Sequence, residues 1–284
     1  MMMRNKLLEN SFKAWNILPS AFLMLANRDI SFAKAVMEKD VDTDYSDPET
    51  WREMFSPFVM GRSKTFIDDH GIAHISVSGT LFQNEAPYIV AAYGGTTYNE
   101  LADDLKEAEE KSQGIFLSID SPGGHAAGNA KISRLFSKAK VPAVAYVGDY
   151  CCSAAYSIAS GCNYIYANDD SLVGSIGTVL PLLDVEGLWN SMGIKADYIT
   201  NREGVLKTSG MPPNQTVQER HALQRETESY FELFKEHVLK FRDIPEDAIT
   251  GEAFVGKNAK DKNLIDGICT QEKAYEKLFI LTRK

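Results

Sequence analysis

The sequence has few cysteines, no excess of basic residues and no long apolar run, and each shortage excludes a class of protein. Four cysteines in 284 residues, with no C-x-x-C pair, are too few for a disulfide framework and lack the spacing of a zinc site. A reducing compartment is therefore expected. The formal charge of -9, without a cluster of lysine and arginine, argues against a nucleic-acid-binding surface.

The apolar residues near the start of the chain do not form a membrane anchor. Glu9 and Lys13 interrupt them, and the remaining apolar stretch, residues 17–26, contains a proline. A membrane-spanning helix needs about 20 apolar residues, roughly twice this length. We therefore expect a cytoplasmic protein without an anchor.

Strand-like and helix-like segments alternate from residue 69 onward. Short β-branched or aromatic runs predict strands over residues 71–82, 114–120, 141–148, 163–167, 174–180 and 196–200. The pairs Thr97/Glu100 and Thr216/Glu219 have the spacing of capping boxes and predict two helix starts. This alternation predicts an α/β fold with a largely parallel sheet. Residues 1–68 differ in composition and predict a helical N-terminal extension with a linker, followed by one domain over residues 69–284.

The first strand-to-helix turn of chemical interest is the segment DSPGG, residues 120–124. It follows a predicted strand and precedes a helical segment. Such a turn exposes backbone N–H groups at the carboxyl end of a strand, where they can bind a ligand or stabilise an oxyanion. The segment DSPGG also fits an ordinary tight turn that binds no ligand.

The second such turn lies in GDYCCSAAYSIASGC, residues 148–162, which holds three of the four cysteines. Here Ser153 precedes a helix of small residues, so the N–H of Ala154 can join that of Gly123 or Gly124 in an oxyanion hole with two donors. A serine in this place also fits a simple helix cap. The adjacent cysteines are alternative nucleophiles, although unpaired cysteines commonly pack as small apolar residues.

A serine nucleophile requires a base, because a free hydroxyl is weakly nucleophilic at neutral pH. His125 directly follows Gly124, but no orienting carboxylate accompanies it in the sequence. A lysine can act as base when burial lowers its pKa. Residues 251–266 contain Lys257, Lys260 and Lys262, and the pattern alone does not choose among them.

Three segments, in this order, resemble the signature blocks of the signal-peptide peptidase A (protease IV) family of serine–lysine peptidases. They are GIFLSIDSPGG, the stretch from GDYCCSAAY to VGSIG, and GEAFVGKNAKDKNLID. The resemblance covers roughly residues 71–275 and implies a ClpP/crotonase-like fold with repeated β-β-α units, so that residues 69–284 form the peptidase domain. It implies that Ser153 is the nucleophile and Lys260 the base, with Lys207 as second choice. Backbone N–H groups of Gly123, Gly124 and Ala154 then form the oxyanion hole.

The resemblance also carries expectations about assembly and location. In single-domain members the lysine reaches the serine of a neighbouring protomer, which implies a ring-like homo-oligomer with shared sites. The apparent lack of an anchor favours the phage branch, similar to minor capsid protein C. That branch implies a prohead protease that cleaves scaffold or capsid proteins in the host cytoplasm or inside the prohead, without cofactor or metal.

Two departures and three alternatives accompany this interpretation. The two glycines that follow the serine in the family are alanines here, at Ala154 and Ala155. The chain could instead be a cytoplasmic protease that degrades peptides, or an inactive capsid-assembly component. A crotonase-like acyl-CoA enzyme would use the same two-donor hole, but such enzymes usually rely on carboxylates and the sequence offers no glutamate pair there.

Overall fold

The computed structural model describes residues 65–84, 90, 94–182, 184–211 and 215–283. The predicted helical extension over residues 1–68 lies outside these ranges apart from its end, which contains a short strand. The chain divides into two compact units. Among the described residues, one unit, here called the sheet unit, comprises those up to Val179 and those from Glu226 onward, and the other, the connecting unit, comprises those within Leu180–Arg225. The domain boundary at residues 68 and 69 stays a prediction.

A mostly parallel sheet of nine strands forms the centre of the sheet unit in the described part of the chain. The strands are β1 (Phe66–Ile67), β2 (Ile72–Phe82), β3 (Gly95–Thr97), β4 (Gly114–Gly124), β5 (Ala143–Cys152), β6 (Tyr164–Ala167), β7 (Leu172–Gly174), β8 (Ala253–Val255) and β9 (Gly267–Ile268). Their order is β1-β2-β4-β5-β6-β9, with β3 beside β2, and β7 between β5 and β8. Only the β1–β2 and β7–β8 pairs among these are antiparallel, which confirms the predicted α/β class.

Seven α-helices are described. They are α1 (Tyr98–Lys111), α2 (Asn129–Phe136), α3 (Ala154–Ser160), α4 (Glu186–Ser191), α5 (Val217–Phe241), α6 (Gly256–Asp261) and α7 (Gln271–Leu281). Short 3-10 turns occupy Arg202–Gly204 and Glu246–Ala248. The capping boxes predicted from the sequence are confirmed, because the Thr97 hydroxyl accepts from the Glu100 N–H and the Thr216 hydroxyl from the Glu219 N–H.

Alternating side chains of the long strands supply two hydrophobic cores. Ile115, Leu117 and Ile119 of β4 face the larger core, which also contains the buried sides of α1, α2 and α3. Phe116 faces the smaller core beneath α7. Because side chains in a strand point alternately to opposite faces, a strand covered on both sides reads as the continuous apolar run GIFLSI.

Two predicted strands are wrong. The segment at 174–180 leaves the sheet after Gly174, because Ser175 adopts a φ of 50°, which a strand cannot continue. The segment at 196–200, in the connecting unit, forms no strand, and Ile199 is 97% exposed. Conversely, β4 and β5 run several residues past their predicted ends, and Ser121 pairs with Cys151.

A buried arginine fixes the end of α3. The Arg242 side chain donates to the Ser160 carbonyl (3.2 Å), to the Cys162 carbonyl (3.0 Å) and to the Asp266 carboxylate (2.7 Å). These contacts satisfy carbonyls that the last turn of a helix leaves without an intrahelical partner. They hold the helix that follows Ser153 against the sheet.

Candidate active site

The ends of β4 and β5 bring two of the predicted site segments together. A Cβ atom built on Gly123 would lie 2.7 Å from the Cβ of Ser153, 2.8 Å from the Cys152 carbonyl oxygen and 3.1 Å from the Ala154 nitrogen. Only a residue without a side chain fits this contact. The PGG turn therefore passes directly against the serine.

Ser153 has an unusual backbone conformation, with φ 52° and ψ -123°. Its N–H donates to the Gly174 carbonyl at 2.8 Å, and its own carbonyl accepts from the Ser157 N–H at 3.0 Å. Non-glycine residues in such regions are strained by about 1–3 kcal/mol and occur often at functional sites. A sharp turn of this kind between a strand and a helix is how some hydrolases expose a nucleophilic serine.

The hydroxyl of Ser153 does not cap α3. The residue occupies the N-cap position, but its side chain forms no capping hydrogen bond, and its φ differs from the extended value of ordinary cap residues. Within the described ranges its Oγ has no hydrogen-bond partner. The simple-cap interpretation of the sequence is therefore wrong, and the hydroxyl is available for chemistry.

The N–H groups of the two glycines have different roles in the structure. The Gly123 N–H donates to the Ser121 hydroxyl at 3.1 Å, and that hydroxyl donates to the Gly79 carbonyl at 2.6 Å. In the parallel β2–β4 ladder Leu81 pairs with Gly124, and its carbonyl accepts from the next residue's N–H. The Gly124 N–H, which lies between these two amides in the chain, is the candidate oxyanion donor on this side of the site.

The cysteines around the serine are packing residues, as expected. Cys151 and Cys162 are buried in the larger core, and Cys152 is 7% exposed with its thiol directed at the Leu172 carbonyl. Burial raises the pKa of Cys152 to about 11 and that of Cys162 to about 12. The thiolate is the nucleophilic form of cysteine, so these thiols are inert at neutral pH.

Comparison with known proteins connects this geometry to a family. The profile of peptidase family S49 matches residues 135–283, just over half of the chain. The chain belongs to peptidase family S49. The match includes Ser153 and the candidate lysines, whereas the PGG turn precedes it.

Individual relatives of this S49 chain come from archaea, bacteria and a phage. A provisionally named protease of Methanocaldococcus jannaschii, MJ0651, is 31% identical over 64% of this chain and 60% of its own length. The head-tail preconnector protein GP5 of Enterobacteria phage P21 is 29% identical over 69% of this chain and 40% of its own length. Protease 4 of Haemophilus influenzae is 27% identical over 72% of this chain and 34% of its own length. The chain thus spans three fifths or less of these relatives.

Two solved structures match this chain at low sequence identity. An enoyl-CoA hydratase/isomerase family member has a TM-score of 0.41 at 18% identity, with 79% of this chain and 76% of that chain covered. ThnE from S. clavuligerus has a TM-score of 0.41 at 11% identity, with 78% of this chain and 86% of that chain covered.

None of the contacts among the described residues joins Lys260 to Ser153 within one chain. Gly174, which accepts the Ser153 N–H, pairs with Ala253, and from there β8 runs antiparallel to β7, away from the serine, into α6. Lys260 is exposed on α6, and no hydrogen bond or ion pair joins its side-chain ammonium to a described residue. Lys262 forms an ion pair, since its ammonium contacts the Asp247 carboxylate at 2.8 Å.

The other sequence candidates take different positions. Lys207 is exposed in the connecting unit. The Nδ1 atom of His125 accepts the Gln83 N–H at 3.3 Å, which holds the imidazole against the end of β2. Ser121 and Asn129 also contact the segments around the serine. Sequence reasoning missed both, because buried polar partners carry no periodic or spacing signal.

Two further properties of the S49 chain concern metals and membranes. The described residues contain no cluster of three or more histidine, cysteine or acidic side chains able to hold a metal ion. None of the described helices is long and apolar enough to cross a bilayer.

Proposed function

We propose that this chain is a serine endopeptidase in which Ser153 Oγ is the nucleophile and a lysine is the general base. The observation that carries the proposal is the strained turn at Ser153, which directs a non-capping hydroxyl to the place where the PGG turn passes. Membership of a peptidase family supports it independently.

The reaction follows from the groups around the hydroxyl. Ser153 Oγ attacks the scissile carbonyl while the lysine amine takes its proton, and the N–H groups of Gly124 and Ala154 stabilise the oxyanion. The lysine then returns the proton to the leaving amine, which departs and leaves an acyl-enzyme. A water molecule hydrolyses this ester by the same steps. Removal of one oxyanion donor typically lowers kcat by about 100- to 1,000-fold.

We assign the base to Lys260 of a neighbouring protomer, with Lys207 as second choice. An amine acts as base at neutral pH only if its pKa is lowered, and burial has this effect. Lys260 is exposed in the single chain, so its function as base depends on an interface that covers it. The proposal therefore includes a ring-like homo-oligomer in which each site combines two protomers.

We further propose that the substrates are phage head proteins. The relative named as a head-tail preconnector protein, from phage P21, supports this role and a location in the host cytoplasm or the prohead. A substrate chain would be bound in extended form beside the sheet, and the small residues around the serine favour small or apolar side chains near the cut.

Labelling and mixing experiments test the site. A fluorophosphonate probe should label wild-type protein, whereas Ser153→Ala should lose both labelling and cleavage of a coumarin-linked peptide. Lys260→Ala should be inactive and still assembled, while Lys257→Ala, a matched exposed lysine on the same helix, should retain activity. Loss of activity in Lys207→Ala but not in Lys260→Ala would move the base to Lys207.

Mixing tests whether protomers share sites. If Lys260 acts across an interface, inactive Ser153→Ala and Lys260→Ala proteins refolded together should regain about one quarter of wild-type activity, because one site in four then pairs an intact serine with an intact lysine. No recovery would exclude sharing. Cleavage of peptides, but not of the head proteins encoded beside this chain, would contradict the capsid role and leave the peptidase proposal intact.

A further inference from the structure

A closed frame of contacts surrounds Ser153, and a buried tyrosine forms one side of it. The Ser153 N–H donates to the Gly174 carbonyl at 2.8 Å. Gly174 packs against Leu264, since a Cβ built on this glycine would lie 3.4 Å from the leucine Cδ1. The Leu264 carbonyl accepts a hydrogen bond from the Tyr156 hydroxyl at 2.9 Å. Tyr156 belongs to α3, the helix that follows Ser153, so the frame closes on the serine.

The bond between Tyr156 and Leu264 crosses the interior of the sheet unit. The tyrosine side chain is fully buried in the larger core, and the two residues lie 108 positions apart in the chain. Burial raises the pKa of Tyr156, so its hydroxyl keeps the proton and remains a donor around neutral pH. A buried carbonyl that loses such a donor pays for its desolvation, which favours the one arrangement of α3 in which the bond forms.

The segment around Leu264 is itself held in place. The Leu264 N–H donates to the Ala259 carbonyl at 2.9 Å, which ties the segment to α6. Two residues further on, the Asp266 N–H donates to the Ile165 carbonyl at 2.8 Å, and the Asp266 carboxylate accepts from the Ile165 N–H at 2.7 Å. Leu264 is therefore anchored between α6 and β6, and a bond to its carbonyl fixes the position of the donor.

The backbone of Ser153 needs a restraint on both of its sides. A strained residue such as this one, with a φ of 52°, keeps its conformation only where the surrounding structure allows no other. On one side, the Gly174 carbonyl holds the Ser153 N–H. On the other side the chain enters α3, a helix of only seven residues, whose first turn carries Tyr156. Without an anchor in this turn, α3 is free to shift and the serine is free to relax.

We infer that Tyr156 is a positioning residue, which keeps Ser153 in its strained conformation by fixing the first turn of α3 to Leu264. The inference rests on the proposed function, in which Ser153 Oγ is the nucleophile. Tyr156 acts through the backbone, and its buried hydroxyl does not contact the substrate. A displacement of a reacting group by about 1 Å can lower the rate about 100-fold. Loss of the Tyr156 hydroxyl should therefore slow the chemical step more than it weakens substrate binding.

The variant Tyr156→Phe tests the inference because it removes one oxygen atom and keeps the ring. We expect kcat for a coumarin-linked peptide to fall about 10- to 100-fold, with KM changed less than about twofold. The Ki of a peptide aldehyde, which forms a covalent adduct with the serine, should rise by the same factor as kcat falls. The Ki of the corresponding peptide alcohol, which binds without a covalent bond, should not change.

The variant Tyr146→Phe is a matched control that separates positioning from stability. The Tyr146 hydroxyl donates to the Asn168 side-chain oxygen at 2.7 Å, and the residue is buried, so this variant also breaks a tyrosine hydrogen bond. Tyr146 belongs to the smaller core, on the face of the sheet opposite to α3. Tyr146→Phe should therefore lower the melting temperature and leave kcat and both Ki values unchanged.

The variant Leu264→Ala tests the other contact of the frame. It keeps the carbonyl that accepts from Tyr156 but removes the side chain that packs on Gly174. We expect kcat to fall as in Tyr156→Phe. The double variant should lose little more, because both single changes open the same frame.

The outcomes are distinguishable when every variant is assayed at a temperature where circular dichroism shows it folded. Wild-type kcat and aldehyde Ki in Tyr156→Phe, or an equal loss in Tyr146→Phe, would overturn the inference alone, provided that wild-type turnover depends on Ser153. Turnover that survives in Ser153→Ala, or is absent from wild type, would overturn the proposed function and this inference with it. If Leu264→Ala does not fold, Tyr156→Phe decides the question.

Discussion

Substitution of Gly123 by alanine should damage both the fold and the site, because this glycine contacts the proposed nucleophile. The new Cβ would lie 2.7 Å from the Ser153 Cβ and 2.8 Å from the Cys152 carbonyl oxygen. These are backbone-anchored atoms that cannot rotate away. Gly123 also has a φ of 102°, which an L-residue rarely adopts.

The magnitude follows from two separate contributions. Backbone strain at a positive φ costs about 1–3 kcal/mol, and overpacking costs about 1–3 kcal/mol more. Together they lower the free energy of unfolding by about 2–6 kcal/mol, a large part of the total for a typical domain. The displaced serine should also react at least about tenfold more slowly with a fluorophosphonate.

Gly148→Ala in β5 is the matched control for Gly123→Ala. Its Cβ would meet nothing nearer than the Ile119 carbonyl oxygen at 3.7 Å, so its stability should stay within about 1 kcal/mol of wild type. Urea denaturation measures the free energy of unfolding of each variant. The rate of fluorophosphonate labelling, measured on folded protein without urea, reports the reactivity of Ser153. Wild-type stability and labelling in Gly123→Ala would refute the close approach of the PGG turn to Ser153.

Three further predictions concern buried polar groups. Arg242→Met should destabilise the protein by about 1–3 kcal/mol in urea denaturation, because the Asp266 carboxylate loses its ion-pair partner and keeps only the Ile165 N–H, and Arg242→Lys should not restore the lost bonds. Ser121→Ala should lower the free energy of unfolding, measured by urea denaturation, by about 1–3 kcal/mol, since the Gly79 carbonyl and the Gly123 N–H both lose a partner. It should also slow fluorophosphonate labelling. Burial lowers the pKa of His237 below its ordinary value of 6.5, so its stabilising contribution is complete above pH 6.5 and is lost as the pH falls toward the lowered value. Urea midpoints from pH 7.5 to 5 should therefore fall less in His237→Gln than in wild type.

Local patterns in the sequence predicted those parts of the fold that depend on local physics. Both capping boxes form as expected, since each depends on two residues three positions apart. The run over residues 114–120 predicted a strand, and β4 (Gly114–Gly124) confirms it. The α/β class follows from the alternation of such segments.

The errors arise where tertiary contacts override the local signal. Val179 belongs to a β-branched run, yet it is 85% exposed and outside the sheet, because Ser175 turns the chain at Gly174. The PGG turn was predicted to end β4, but pairing with β2 extends the strand through it. The Tyr98 hydroxyl bonds to the His125 carbonyl and the Asn129 amide to the Ala154 carbonyl, about 25 to 30 residues away in sequence, so no spacing rule could reveal these bonds.

The backbone of Ser153 also has an evolutionary consequence. Glycine accepts a positive φ without strain, so replacement of Ser153 by glycine would relieve the turn while removing the hydroxyl. In the proposed mechanism this hydroxyl is the nucleophile, so folding favours a mutation that would inactivate the protein, and only selection for the hydroxyl opposes it. A descendant of this chain that lost its substrate would be expected to keep the fold, become more stable and carry glycine at residue 153.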